Sequence, residues 1–222
     1  MKKILILLVT ALVSFSGRAY AQSSDLTDEQ KKDIIERIEQ KLSDFQGDLS
    51  VLVGKDCSLD TKQAVMKKAL KLFIGGGESY VTQEPTYSGT RDVPHKAVTM
   101  GIITSKNPNG ERINNPMKIY LRGLIKTSQN ENFTVRIEQA DAVRVDSFRK
   151  VGEDRYIATA YILQNFARYT KEGRLTYIDT TAKKVTIYIE RREQIISGLG
   201  GEVVTVEYWE ILLGNIEAEE IW

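Results

Sequence analysis

The stretch FTVRIEQADAVRV, residues 133–145, decides how the second half of this chain folds. Side chains of a strand alternate between two faces, so Phe133, Val135, Ile137, Val143 and Val145 share one apolar face. Gln139 and Asp141 fall on that same phase. Two readings are open. A bulge near Gln139 or Ala140 shifts the phase and turns Asp141 to water. Alternatively the phase holds, and the buried face opens onto a cavity that accepts polar groups. Gln139 and Asp141 then face Tyr161 and Trp209 across neighbouring strands, and Asp141 becomes a ligand contact or a general base with a raised pKa.

Three more strand-like segments follow, at about 155–169, 174–190 and 202–215, rich in β-branched and aromatic residues. Lys171-Glu172-Gly173 closes one hairpin and residues 197–201 close the next. The region before 133 is mostly helical. Thr27 and Gln30 form a capping box, and Ile35, Ile38, Leu42, Phe45, Leu49 and Leu52 make one apolar stripe. A second helix runs from Ser58 or Asp60 to Ile74. It buries Val65, Met66, Ala69, Leu72 and Phe73, keeps Lys62, Lys67, Lys68 and Lys71 in water, and stops at Gly75-Gly76-Gly77. Irregular short strands occupy 78–104, the clearest being Ala97 to Thr104, before an Asn107-Pro108-Asn109-Gly110 turn. In the third helix Asn115 is the expected cap and Pro116 the first residue. Met117, Tyr120, Leu121, Leu124 and Ile125 form its buried stripe, with Lys118, Arg122 and Lys126 opposite.

The chain begins with an export signal. Lys2 and Lys3 precede a ten-residue run, Ile4 to Val13, broken only by Thr10, and Ala19-Tyr20-Ala21 is a small-x-small cleavage pattern. The run is far shorter than the ~20 residues that span a bilayer. Residues 1–21 are therefore read as a signal peptide and 22–222 as a single α+β domain, located in the periplasm or at the cell surface of a bacterium. Residues 1–21 hold three basic side chains and no acid, which leaves 28 basic against 30 acidic ones. A near-neutral chain without a basic cluster argues against nucleic acid as a partner.

Cys57 is the single cysteine and His95 the single histidine. That excludes an internal disulfide, and without a second histidine or a cysteine cluster no zinc site is expected. Gly75-Gly76-Gly77 follows a helix and Gly198-Leu199-Gly200-Gly201 joins two strands, so neither is a nucleotide-phosphate loop. No metal and no cofactor is expected. Asp179-Thr180-Thr181 resembles a short bacterial O-glycosylation motif, with a strand surface or a turn as the alternative.

Helix, helix, short strands, helix and four long antiparallel strands is an order that resembles the NTF2-like (cystatin-like) superfamily. The resemblance covers nearly all of residues 22–222 and implies N-terminal helices packed on a curved, mainly antiparallel sheet that forms a cone. It also implies a choice of functions, because that superfamily holds isomerases, dehydratases and cyclases beside binding and assembly modules. Three readings follow: an exported binding or scaffold module; a small-molecule acid–base enzyme with its pocket inside the cone; and a subunit of an envelope assembly using the sheet or Ile221-Trp222. The expected partner is a small molecule or an envelope protein, and a homodimer through the sheet is open.

Overall fold

The computed structural model describes residues 26–103, 110–139, 143–197 and 203–221. Residues 1–21, Asp141, Asn107 to Asn109 and residues 198–201 lie outside the described residues, and with them the expected signal peptide and the expected glycine-rich turn.

Helix α1 (Asp28–Val53) starts where the capping box places it. The Thr27 hydroxyl accepts from the Gln30 amide N–H at 3.2 Å, and the Gln30 side chain accepts from the Thr27 N–H at 2.9 Å. Ile34, Ile38, Leu42, Phe45, Leu49 and Leu52 are fully buried. The stripe thus begins at Ile34, while Ile35 is half-buried. Helix α2 (Leu59–Leu70) is capped by Ser58, whose hydroxyl accepts from the Thr61 N–H at 3.1 Å. It ends four residues before Ile74, because the chain becomes extended at Phe73 (φ −98°, ψ 149°) and bridges Leu213, while Gly75, Gly76 and Gly77 take positive φ in the turn that follows. Lys62 is buried rather than wet. Its long apolar stem packs inside while Nζ donates to the Ser128 hydroxyl at 2.6 Å.

Strands β1 (Tyr80–Thr86) and β2 (Gly89–His95) form a separate two-stranded hairpin. His95 lies in β2, not in a loop, stacked on Tyr80 and hydrogen-bonded to Thr82 at 2.8 Å. Strand β3 (Thr99–Ile103) pairs with β4 (Ile113–Pro116), which leads directly into α3 (Met117–Ser128). Asn115 therefore belongs to a strand opposite Met100, and the helix starts one residue later than Pro116. The Met117 N–H is satisfied by the Val98 carbonyl at 2.8 Å instead of by a side-chain cap.

The long segments form β5 (Phe133–Gln139), β6 (Arg144–Gly152), β7 (Arg155–Thr170), β8 (Leu175–Ser197) and β9 (Val203–Ile221). The seven-stranded sheet runs β4-β3-β9-β8-β7-β5, with β6 continuing along the same edge of β7 as β5. Among the described strands β3 and β9 form the one parallel pair. The fold is α+β: a curved, mainly antiparallel sheet that does not close, carrying the N-terminal helices. Its core joins α1, α2 and α3 to alternate residues of the sheet, among them Ile137, Ile162, Val185, Ile187, Leu213 and Ile216. The Lys171-Glu172-Gly173 turn is present, with the Thr170 N–H bonded to the Arg174 carbonyl and Gly173 at φ 82°.

The opening stretch resolves into β5 and β6. Gln139 pairs with Gln164 and Arg144 with Tyr161, so five residue steps on this edge match three on β7. An offset of two residues preserves the phase. Val135 and Ile137 before it, and Val143 and Val145 after it, all contribute to the one core. A phase-shifting bulge does occur, but further on, between Asp146 and Arg149, where Ser147 has φ 22°.

Candidate functional site

Strand β8 carries the site. Its inner row reads Tyr177, Asp179, Thr181, Lys183, Val185, Ile187 and Ile189, polar at one end and apolar at the other. Cross-strand pairing sets this row among its neighbours. Asp179 lies opposite Phe166, Thr181 lies between Gln164 and Glu220, and Lys183 lies between Ile162 and Ala218. Side chains directly opposite in an antiparallel pair share a face. Polar groups of three strands therefore converge at the same height.

They surround a cavity of about 270 Å³ under α3. Met100, Ile102, Tyr120, Leu124, Ile137 and Phe166 supply its apolar walls, and Gln164, Tyr177, Asp179, Thr181, Lys183 and Glu220 its polar lining. The half-buried end holds a hydroxyl–carboxylate cluster. The Tyr177 phenol donates to Asp179 Oδ2 at 2.8 Å and lies 3.3 Å from Glu220 Oε1, while the Thr181 hydroxyl donates to Asp179 Oδ1 at 3.2 Å. Burial, reinforced by the bond to Asp179, pushes the Tyr177 phenol above its ordinary pKa. Burial alone pushes Tyr120 to about 12. Both phenols are therefore neutral hydrogen-bonding groups near neutral pH.

Lys183 lies at the buried end, 3% exposed. Its Nζ donates to Gln164 Oε1, and no carboxylate of the described residues lies within ion-pair distance. Removing an ammonium from water without a counter-charge is costly, so burial lowers its pKa to about 7, with Asp179 opposing weakly. An amine that exchanges its proton near neutrality, set in a mostly apolar cavity, is the most distinctive chemical group of the site.

Of the residues singled out from sequence, Tyr161 and Trp209 lie away from the cavity, and Asp141 lies outside the described residues. Tyr161 points to the other face of β7, since its neighbours Ala160 and Ile162 are the buried ones, and it lies under the Arg144 guanidinium at 5.0 Å. Trp209 is half-buried against the core and packs edge-on against Tyr156 at 5.8 Å, outside the cavity lining. Neither lines the pocket. The Gln139 backbone pairs with Gln164, which places the residue at the end of the Gln164–Thr181–Glu220 row. Asp179, Thr180 and Thr181 are half-buried within β8, and Thr180 donates to Asn165 Oδ1 at 3.0 Å. That is the strand alternative to a glycosylation site. Among the described residues no cluster of His, Cys, Asp and Glu could hold a metal ion, and no helix is long and apolar enough to cross a membrane.

No family model matches the sequence, and no curated protein does.

Proposed function

We propose that this is an exported binding module whose cavity takes a small, mainly apolar ligand bearing one polar group. The observation that carries the reading is the polar half of the β8 inner row. A sheet built only to pack against helices would continue Val185, Ile187 and Ile189 to its end; here the row changes to Lys183, Thr181, Asp179 and Tyr177 around empty volume. The likeness in element order to the NTF2-like superfamily and the export signal of residues 1–21 belong to the same reading. The acid–base enzyme is its alternative, with Lys183 and Asp179 as candidate groups beside the Asp141 expected from sequence.

Thermal-shift measurement against compounds from benzene to naphthalene size tests it. A ligand at a hundred times its Kd stabilises the folded state by about 2.7 kcal/mol, which raises the melting temperature by several degrees. Leu124→Trp fills the cavity from α3 and is expected to abolish the shift. No stabilising compound, or a shift that survives Leu124→Trp, overturns the reading.

A second reading rests on a different feature. Beyond Glu190, which pairs with Arg155 at the start of β7, and Arg191, whose N–H donates to the Asp154 carbonyl at 3.0 Å, β8 and β9 continue as a two-stranded ribbon paired with itself among the described residues. Ile195, Ile196, Val203, Val204 and Val206 on it are all exposed. Such a ribbon has two open edges and apolar side chains on both faces, which suits addition of the same ribbon from a second copy. Sedimentation analysis is expected to give a dimer that becomes a monomer in Ile195→Lys/Val204→Lys. A parent chain that stays monomeric at high micromolar concentration sinks this reading.

A further inference from the structure

We propose that Lys183 is a reactive amine that captures small aldehydes reversibly as an imine inside the cavity. The inference rests on the pocket reading above and names its ligand class.

Three observations converge on it. Lys183 is almost fully buried, yet it belongs to the lining of an open cavity. It has one neutral acceptor, Gln164 Oε1, which cannot balance an ammonium carrying three N–H donors. The state that suits this environment is the neutral amine, whose lone pair is free for bonding. Lysines in water are protonated at the same pH and lack that lone pair. Burial and geometry thus single out this amine.

The cavity also selects against the obvious competitor, an anion paired to Lys183. Asp179 and Glu220 stand on the same walls, one on β8 and one on β9, and present carboxyl oxygens to which the Tyr177 and Thr181 hydroxyls already donate, so a carboxylate ligand finds acceptors there in place of donors. An uncharged carbonyl compound meets no such opposition. Its apolar body fits Met100, Leu124, Ile137 and Phe166. A cavity of roughly 150 Å³ holds benzene, so about 270 Å³ accepts an aromatic or short-chain aldehyde.

The step balances without a further reagent. Lys183 Nζ adds to the carbonyl carbon, the C=O π pair moves to oxygen, and one N–H proton follows it to give a carbinolamine. The C–O bond then breaks, hydroxide leaving with the second N–H proton as water, and the nitrogen lone pair closes the C=N bond. Hydrolysis reverses both stages.

The test treats the full chain with benzaldehyde and cyanoborohydride near pH 7.5 and locates reduced adducts by peptide mass spectrometry. Benzyl alcohol, similar in size but unreactive, reports pocket occupancy by thermal shift. The expected result is benzylation of Lys183 at least tenfold faster than of exposed lysines such as Lys171, slowed by benzyl alcohol and absent in Lys183→Arg. Adducts confined to exposed lysines, with benzyl alcohol still raising the melting temperature, overturn the imine and leave the pocket reading standing. A benzoate shift far larger than that of benzyl alcohol, and lost in Lys183→Met, replaces the imine with an anion site. No shift with any probe and no Lys183 adduct overturn both. The labelling comparison is made on the parent chain, so it decides the matter even where a variant fails to fold.

Discussion

Lys183→Met is expected to be more stable than the parent at pH 6 and less stable at pH 10. Burial lowers the folded-state pKa of Lys183 to about 7, whereas the unfolded chain keeps the ordinary value of 10.5. Between those values the unfolded chain binds the additional proton, so raising the pH favours the folded protein. The parent therefore gains up to about 1.4 kcal/mol per pH unit from this one group, or roughly 4 kcal/mol across three units. Methionine has nearly the same length, fills the same space and does not titrate. The substitution also leaves Gln164 Oε1 without its donor, at about 1–3 kcal/mol. That loss is the same at every pH and moves only the crossing point. Denaturant unfolding from pH 6 to 10 measures the difference between the two proteins. Parallel stability curves would mean that the amine is charged in the folded state, and the lone-pair argument for Lys183 would fall with it.

A side chain that destabilises its own fold at neutral pH, placed where Val185, Ile187 and Ile189 lead the row, calls for a compensating use. Packing offers none, since Ile162 and Ala218 on either side are apolar and a leucine or methionine would suit them. Gln164 offers one acceptor only. The arrangement is intelligible if the exposed lone pair, or the charge it takes on below about pH 7, is what the cavity exists to present.

Much of this architecture can be read from residue order, for local reasons. The Thr27–Gln30 box, the Ser58 cap and the Lys171-Glu172-Gly173 turn each depend on residues within a few positions, and each is found where its chemistry requires. The third-helix stripe holds too, because period and burial coincide there. The site was less legible. The pattern at Gln139 and Asp141, polar residues on an apolar phase, is present more strongly in β8, where Tyr177, Asp179, Thr181 and Lys183 precede Val185 in step. It is masked there because the opposite phase also alternates, with exposed Ile178 among its members. The partnership of Lys183 with Gln164 depends on how β7 and β8 register, nineteen residues apart in sequence, and no local pattern encodes that. Tyr161 and Trp209 were aromatic and central, but a strand residue faces the side its register assigns, whatever its chemistry. Lys62 shows the converse. A cation assigned to water by its charge is buried because a hydroxyl on another helix, Ser128, receives its head group.

Leu121→Ala is expected to produce the other large effect. Leu121 is fully buried at the centre of α3, with Met117 one turn before it and Ile125 one turn after. Truncating such a leucine removes its transfer free energy and leaves a void, at roughly 2–5 kcal/mol. For a domain of this size each kcal/mol moves the melting temperature by about 2–4 °C, so a fall on the order of 10 °C is expected by calorimetry. Lys118→Ala, three residues earlier on the same helix, is the control. It breaks an ion pair with Glu78 at the surface, where such pairs contribute little, and should move the midpoint by no more than a degree or two. Equal effects would mean that the buried face of α3 is misassigned. The consequence reaches the cavity, because Tyr120 and Leu124 cover it from the same helix. If α3 is anchored through Leu121, loosening it also weakens ligand-induced stabilisation. An Leu121→Ala protein that melts early but keeps the full ligand shift would place the cover of the cavity elsewhere than on α3.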